Sequence, residues 1–223
     1  MCPSEATTDE HVPPACIFPE KKDLPRGLDL RKNLITVPSC PDHNLRKSGD
    51  DEYLLYVITS NISTNPFAQL QWATKIKRSY GRRPSKLRMF GGLFPVRILE
   101  HQTGGFYLDK PRIDSELERV ARGLYFHGFG QHWDLPVEIV SPSFVSLEGG
   151  NAAAYNLHIA KLNAFVARYL QNDPWRGDNP EVFKYQIQRN DNPTGLVLRM
   201  LFYGHFEITA YSIPSIPDNN GDA

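Results

Sequence analysis

The first fifty residues cannot hold a core of their own, and this constrains the rest of the chain more than any other feature. The stretch is dense in proline, aspartate and asparagine, and its best strand signal is the β-branched run from Asn33 to Ser39, bounded by turn residues. A segment this small and this broken needs either a bound metal or packing against the remainder of the chain. That remainder is ample. The chain has 223 residues, 40% of them hydrophobic, enough for one large domain or two small ones with a core that needs no disulfide staples.

Periodicity predicts an α+β fold. "GDDEYLLYVITSN" opens on Asp50, Asp51 and Glu52, acids suited to a helix N-terminus, with Leu54, Leu55 and Val57 behind them. After the break at "STNP", residues 66–80 read as a second helix phased by Phe67, Leu70, Ala73 or Thr74, and Lys77. "LFPVRILEH" and "GGFYL" suggest a hairpin. "KPRIDSELERVARGLYFHGFG" predicts a helix with Ile113, Leu117, Val120 and Leu124 on one stripe, ending near Gly128. "LPVEIVS" alternates as a strand. "NAAAYNLHIAKLNAFVARYLQND" predicts a long helix whose apolar face carries Leu157, Leu162, Phe165, Val166, Tyr169 and Leu170. The stretch from Glu181 to Ile213 reads as an antiparallel meander, with turns at Asn190 to Gly195 and near Gly204. The expected organisation is a unit over residues 1–60 packed on a larger mixed α+β region over residues 61–223.

Lysine and arginine balance aspartate and glutamate at 25 each, and no run of 18 apolar residues occurs. With Asp9, Glu10 and His11 where a signal peptide needs an unbroken apolar stretch, the expectation is a soluble cytoplasmic protein with no membrane partner. Three cysteines, Cys2, Cys16 and Cys40, suit thiols or metal ligands in a reducing compartment better than a disulfide framework. The charge is unevenly spread. Lys75, Lys77, Arg78, Arg82, Arg83, Lys86 and Arg88 follow one another with no acid among them. Such a block attracts a phosphate backbone through counterion release, although a solvated basic face reads the same way when taken alone.

The N-terminal segment contains the residue types that phosphodiester cleavage with one metal requires. Glu10 can ligate a hard cation, His11 can take a proton near neutral pH, Asn44 offers a carbonyl oxygen, and Lys47 comes three residues later. The run "EHVPP", the strand signal "NLITVPSC" and "HNLRKSGDDEYL", falling in order within residues 2–55, resemble the HNH endonuclease family of ββα-metal nucleases.

That resemblance implies an N-terminal ββα-metal unit, with Glu10 as a metal ligand and His11 as the general base that activates water. Asn33 matches the family's middle asparagine, which braces the loop bearing the histidine. Asn44 matches the second metal ligand, and Lys47 would face phosphate. The family's last histidine has no counterpart at the usual distance after Asn44, so Asp50 or Asp51, or water, would stand in its place. The implied catalytic cofactor is Mg²⁺ or Mn²⁺, the implied substrate double-stranded DNA, and the implied products 5′-phosphate and 3′-hydroxyl ends. Many members also bind a structural zinc through two CxxC pairs; here Cys2, Cys40 and His43 are three candidate ligands, and the first pair reads "CPSE". Restriction, phage defence and mobile elements are the settings the family implies. The zero net charge leaves room for a regulatory protein partner that governs access to DNA. Two other readings use the same segment: a zinc-stabilised scaffold that binds nucleic acid or protein without cutting, and an RNA-cleaving toxin.

The remaining candidates read as structural. Cys16 sits among apolar residues in "PPACIFP". His127 and His132 lie in an aromatic-rich turn near Trp133, and His158 lies beside the apolar face of its helix. "SLEGGNAAA" lacks the lysine and spacing of a P-loop, and nothing supports Glu138 and Glu148 as an acid/base pair.

Overall fold

The computed structural model of the chain describes residues 6–40, 48–61, 64–83, 93–98, 101–147, 149–191 and 194–212. The fold is mixed α+β. A five-stranded antiparallel sheet runs in the order β5 (Glu138–Val140), β9 (Phe206–Ser212), β8 (Thr194–Phe202), β7 (Phe183–Asp191) and β6 (Arg176–Asn179). Two separate two-stranded sheets precede it. In one, β1 (Thr8–His11) pairs with β2 (Thr36–Ser39), and in the other β3 (Leu93–Ile98) pairs with β4 (His101–Phe106).

Strand alternation explains the core. Leu196, Leu198, Met200 and Phe202 of β8 face the same side as their register partners Ser212, Ala210, Ile208 and Phe206 of β9, and all eight are buried. On this side lie α1 (Ser48–Thr59) and α4 (Lys110–Phe129), in one apolar cluster with the sheet. From Tyr53 to Ile58 every residue of α1 is buried, which makes it a central helix rather than a surface one. Val12, Ile17, Phe18, Leu30 and Val37 belong to the same cluster, so the N-terminal segment obtains its core from the rest of the chain.

The α4 stripe Ile113, Leu117, Val120 and Leu124 is buried as the periodicity predicts. Its ends carry the expected signals: the Asp109 carboxylate accepts from the Arg112 N–H, and Gly130, at φ 65°, closes the last turn on the Phe126 carbonyl.

Three expectations need correction. The strand expected over Asn33–Ser39 is only Thr36–Ser39, because Asn33 adopts φ 48° in a turn. The helix expected over residues 66–80 is α2 (Pro66–Gln71) joined through a π-helical turn, Trp72–Ile76, to α3 (Lys77–Arg82). The wider turn shifts the phase, and Ala68, Gln71 and Ile76 point inward. The long helix α5 (Ala152–Tyr169) forms, but Leu157, Phe165 and Tyr169 are exposed. Its contact stripe is Ile159, Asn163, Val166 and Leu170, lying on the sheet face opposite the main core. There Asn163 accepts from the Thr209 hydroxyl at 2.8 Å. A hydrogen-bonded asparagine thus anchors this helix together with Ile159, Val166 and Leu170.

Candidate nuclease site

Glu10 and His11 are neighbours on β1, paired in antiparallel register with Val37 and Thr36 of β2. Their side chains therefore point to opposite faces of the ribbon: Glu10 is half-buried and His11 is exposed. Ser39, buried on the partner strand, donates its hydroxyl to Oε2 of Glu10 at 3.0 Å and so orients the carboxylate. Thr8 in turn donates to the Ser39 carbonyl at 2.9 Å. The ladder continues past His11, where the Val12 N–H donates to the Ile35 carbonyl at 2.9 Å. Val12 is buried against Gly123 of α4, whose missing side chain makes room for it: a Cβ there would lie 2.8 Å from Val12 Cγ2.

The loop after His11 is fastened from behind. Gln71 donates to the Ile17 carbonyl at 2.9 Å, Lys75 donates to the Cys16 carbonyl at 2.8 Å, and the buried Tyr203 hydroxyl also bonds Ile17. Cys16 donates its thiol to the Asp51 carbonyl at 3.3 Å, and burial pushes that thiol up to about 12, partly countered by the Lys75 charge. The structural reading of Cys16 agrees with this environment.

Asp50 and Asp51 open α1. Asp50 accepts from Arg112 at 2.6 Å and lies 3.7 Å from Arg119; Arg112 also bonds the Gly49 carbonyl and stacks 4.4 Å from the Tyr53 ring centroid. Two guanidiniums thus engage Asp50. Asp51 is half-buried in the same turn and carries the carbonyl that receives Cys16.

Asn33 is placed elsewhere. Its amide donates to Asp178 at 2.7 Å, tying the turn before β2 to the β6 end of the large sheet, where Asn179 also donates to the Lys32 carbonyl at 2.8 Å. Those bonds brace β2, not the loop that bears His11.

Glu10 fits a divalent cation in chemical type, as a hard carboxylate oxygen donor held in place by a neighbouring hydroxyl. Among the described residues no group of three or more histidine, cysteine, aspartate or glutamate side chains is arranged to hold a metal ion. Cys2, His43, Asn44 and Lys47 lie outside the described residues, as do Lys86 and Arg88. Cys40, the described member of the zinc set, is buried.

The basic block divides. Lys75 is turned inward onto the Cys16 carbonyl, and burial lowers its pKa. Arg78 grips Asp23 with two hydrogen bonds of 2.7 and 2.6 Å, which holds the Asp23 carboxyl below its usual range. These two are fold contacts and not phosphate contacts. Lys77, Arg82 and Arg83 are exposed.

No family model, curated protein or solved structure matches this chain. No helix among the described residues is long and apolar enough to cross a membrane. Sequence reasoning missed Ser39 and Gly123. Ser39 stands beside the candidate zinc ligand Cys40, yet only the β1–β2 register brings it to Glu10, and Gly123 carried no local signal at all.

Proposed function

We propose that the chain is a metal-dependent HNH endonuclease that hydrolyses DNA phosphodiester bonds. The observation that supports this reading is the placement of the acid–histidine pair: Glu10 oriented by Ser39 and His11 open to solvent, on a strand followed by β2 and then α1. In this reading His11 takes the proton of the attacking water, and its exposure leaves room for a substrate to approach. Glu10, with Asn44, would hold Mg²⁺ or Mn²⁺, which when bound supplies Lewis-acid stabilisation of charge at the scissile phosphate. Lys47 would face that phosphate, while Lys77, Arg82 and Arg83 are the described cations left to hold the DNA backbone, contacts that carry no sequence preference.

The test is cleavage of supercoiled plasmid by the purified chain in EDTA, Mg²⁺ or Mn²⁺, beside His11→Ala, Glu10→Gln and Asn44→Ala. Metal-dependent nicking that falls by about 10²–10⁴ in His11→Ala, as loss of a general base does, is the expected outcome. Stoichiometric zinc with no hydrolysis in any metal would overturn it in favour of a scaffold, and preference for RNA over plasmid in favour of a toxin.

A further inference from the structure

A cavity of about 660 Å³ opens at the C-terminal end of α1, away from its Asp50–Asp51 end. None of Glu10, His11, Ser39 and Asp51 lines it, so the cavity is a separate place in the fold. Its volume lies within the range of small-molecule sites, roughly 300–1,000 Å³.

Two ring pairs form its walls. Phe94 of β3 and Tyr107, just after β4, have centroids 4.9 Å apart, while Phe144 and Phe206 meet edge to face at 5.8 Å. Gly105 allows the first pair to close over the hairpin, because a Cβ there would come within 2.5 Å of Val96 and 2.9 Å of Phe94. Hydroxyls from Ser60 and Ser143 and the Asn61 amide line one side, with Asn61 donating to Ser143 at 3.1 Å.

Charge decides the class of occupant. Among the described residues lining the cavity Lys110 alone is charged, and both oxygens of Asp114 hold its ammonium, at 2.7 and 2.5 Å. With that one lining charge already held by a carboxylate behind it, an ionic ligand would lose its hydration for little compensating charge. The rim is apolar: Tyr107, Val145, Leu147 and Tyr155 stand there with 62%, 59%, 62% and 47% of their surfaces exposed. Large hydrophobes clustered in water around a concave site mark a surface that an apolar partner covers.

We propose that this cavity binds an uncharged small molecule with a ring-containing, largely apolar body, which stacks between the two ring pairs and hydrogen-bonds the Ser60, Asn61 and Ser143 side. The proposal does not depend on the nuclease reading, since it uses no residue of that site.

The experiment is a fluorescence titration of the full chain with Nile red, a neutral fused-ring dye, and with the anionic ring dye 8-anilinonaphthalene-1-sulfonate. Sedimentation of the same samples accompanies it. The result expected is saturable binding of one Nile red per chain, with the anionic dye bound at least about tenfold more weakly. Leu147→Ala/Tyr155→Ala should weaken Nile red about tenfold, the scale of losing an aromatic anchor. These side chains are exposed, so the variant retains its fold. Phe165→Ala, an exposed aromatic position on α5, should leave binding unchanged. Absence of saturable binding, equal affinity for the anionic dye, loss of binding in Phe165→Ala but not in the rim variant, or a dimer that Leu147→Ala/Tyr155→Ala dissociates would each overturn the proposal. The last outcome would identify a second copy of the chain as the cover.

Discussion

Gly123 of α4 lies directly against Val12, one residue beyond His11, with no room between them for a methyl group. Helix α4 thereby packs directly on the residue that follows the first strand. Gly123→Ala should gain up to about 1 kcal/mol of helix propensity but lose roughly 1–3 kcal/mol to overpacking. Val12 is stiff and 3% exposed and cannot swing aside, so the loss wins. The expected outcome is a net destabilisation of about 1 kcal/mol by urea denaturation and, in the nuclease reading, a drop in plasmid nicking beyond that explained by unfolded protein. Unchanged stability would mean that Val12 is free to move.

Ser39→Ala removes the hydroxyl that orients Glu10 and costs about 1 kcal/mol, the usual value of a hydrogen bond. In the nuclease reading the variant should need more Mg²⁺ for half-maximal cleavage while keeping its pH profile, because His11 is on the other face of the ribbon. Ser39→Thr, which restores the hydroxyl, should recover part of the loss. An unchanged metal requirement would detach Ser39 from the site.

If the chain binds DNA as the nuclease reading proposes, the two halves of the basic block should separate in a salt titration of that binding. Alanine at Lys77, Arg82 or Arg83 should each reduce the slope of log affinity against log salt by about 0.9 for each phosphate no longer neutralised. Alanine at Lys75 or Arg78 should leave the slope alone and lower the urea midpoint instead, since these side chains hold Cys16 and Asp23. A slope change in Arg78→Ala would contradict the assignment.

Asp23 has a lowered pKa chiefly because Arg78 hydrogen-bonds its ionised form. The stability it contributes is therefore present above its ordinary value of 3.8 and lost as pH falls through the lower folded value. Urea midpoints measured from neutral pH downward should fall less steeply below about pH 4 in Asp23→Asn than in the parent chain. Equal slopes would show that the pair does not persist in solution.

Cys16 gives the opposite limb. Its thiol rises from 9.0 to about 12 through burial, so the stability that depends on the neutral form is complete below pH 9 and declines as pH rises toward about 12. Cys16→Ala should flatten the alkaline part of the stability curve. Alkylation of Cys16 at pH 8 should be far slower in the native chain than in the urea-unfolded chain, and equal rates would show an accessible, unperturbed thiol.

By itself the sequence determined the local features whose physics is local. The α4 stripe was legible because Ile113, Leu117, Val120 and Leu124 repeat at helical spacing. The β8–β9 turn was legible because Gly204, at φ 80°, marks it, and Glu10 and His11 were legible because they are adjacent in the chain. Tertiary structure alone decided the relationships between distant segments. Ser39 reaches Glu10 only through the register of two strands joined by a long irregular connection, and Asn33 turns to Asp178 because the large sheet stands next to it. Lys75 and Arg78 are engaged by a carbonyl and a carboxylate contributed by the distant residues 16 and 23. On α5, Asn163 lies in the buried stripe with its carbonyl on the Thr209 hydroxyl, while Phe165 stands in water. Periodicity reports which residues share a face, but which face is covered depends on the partner that the rest of the fold brings to it.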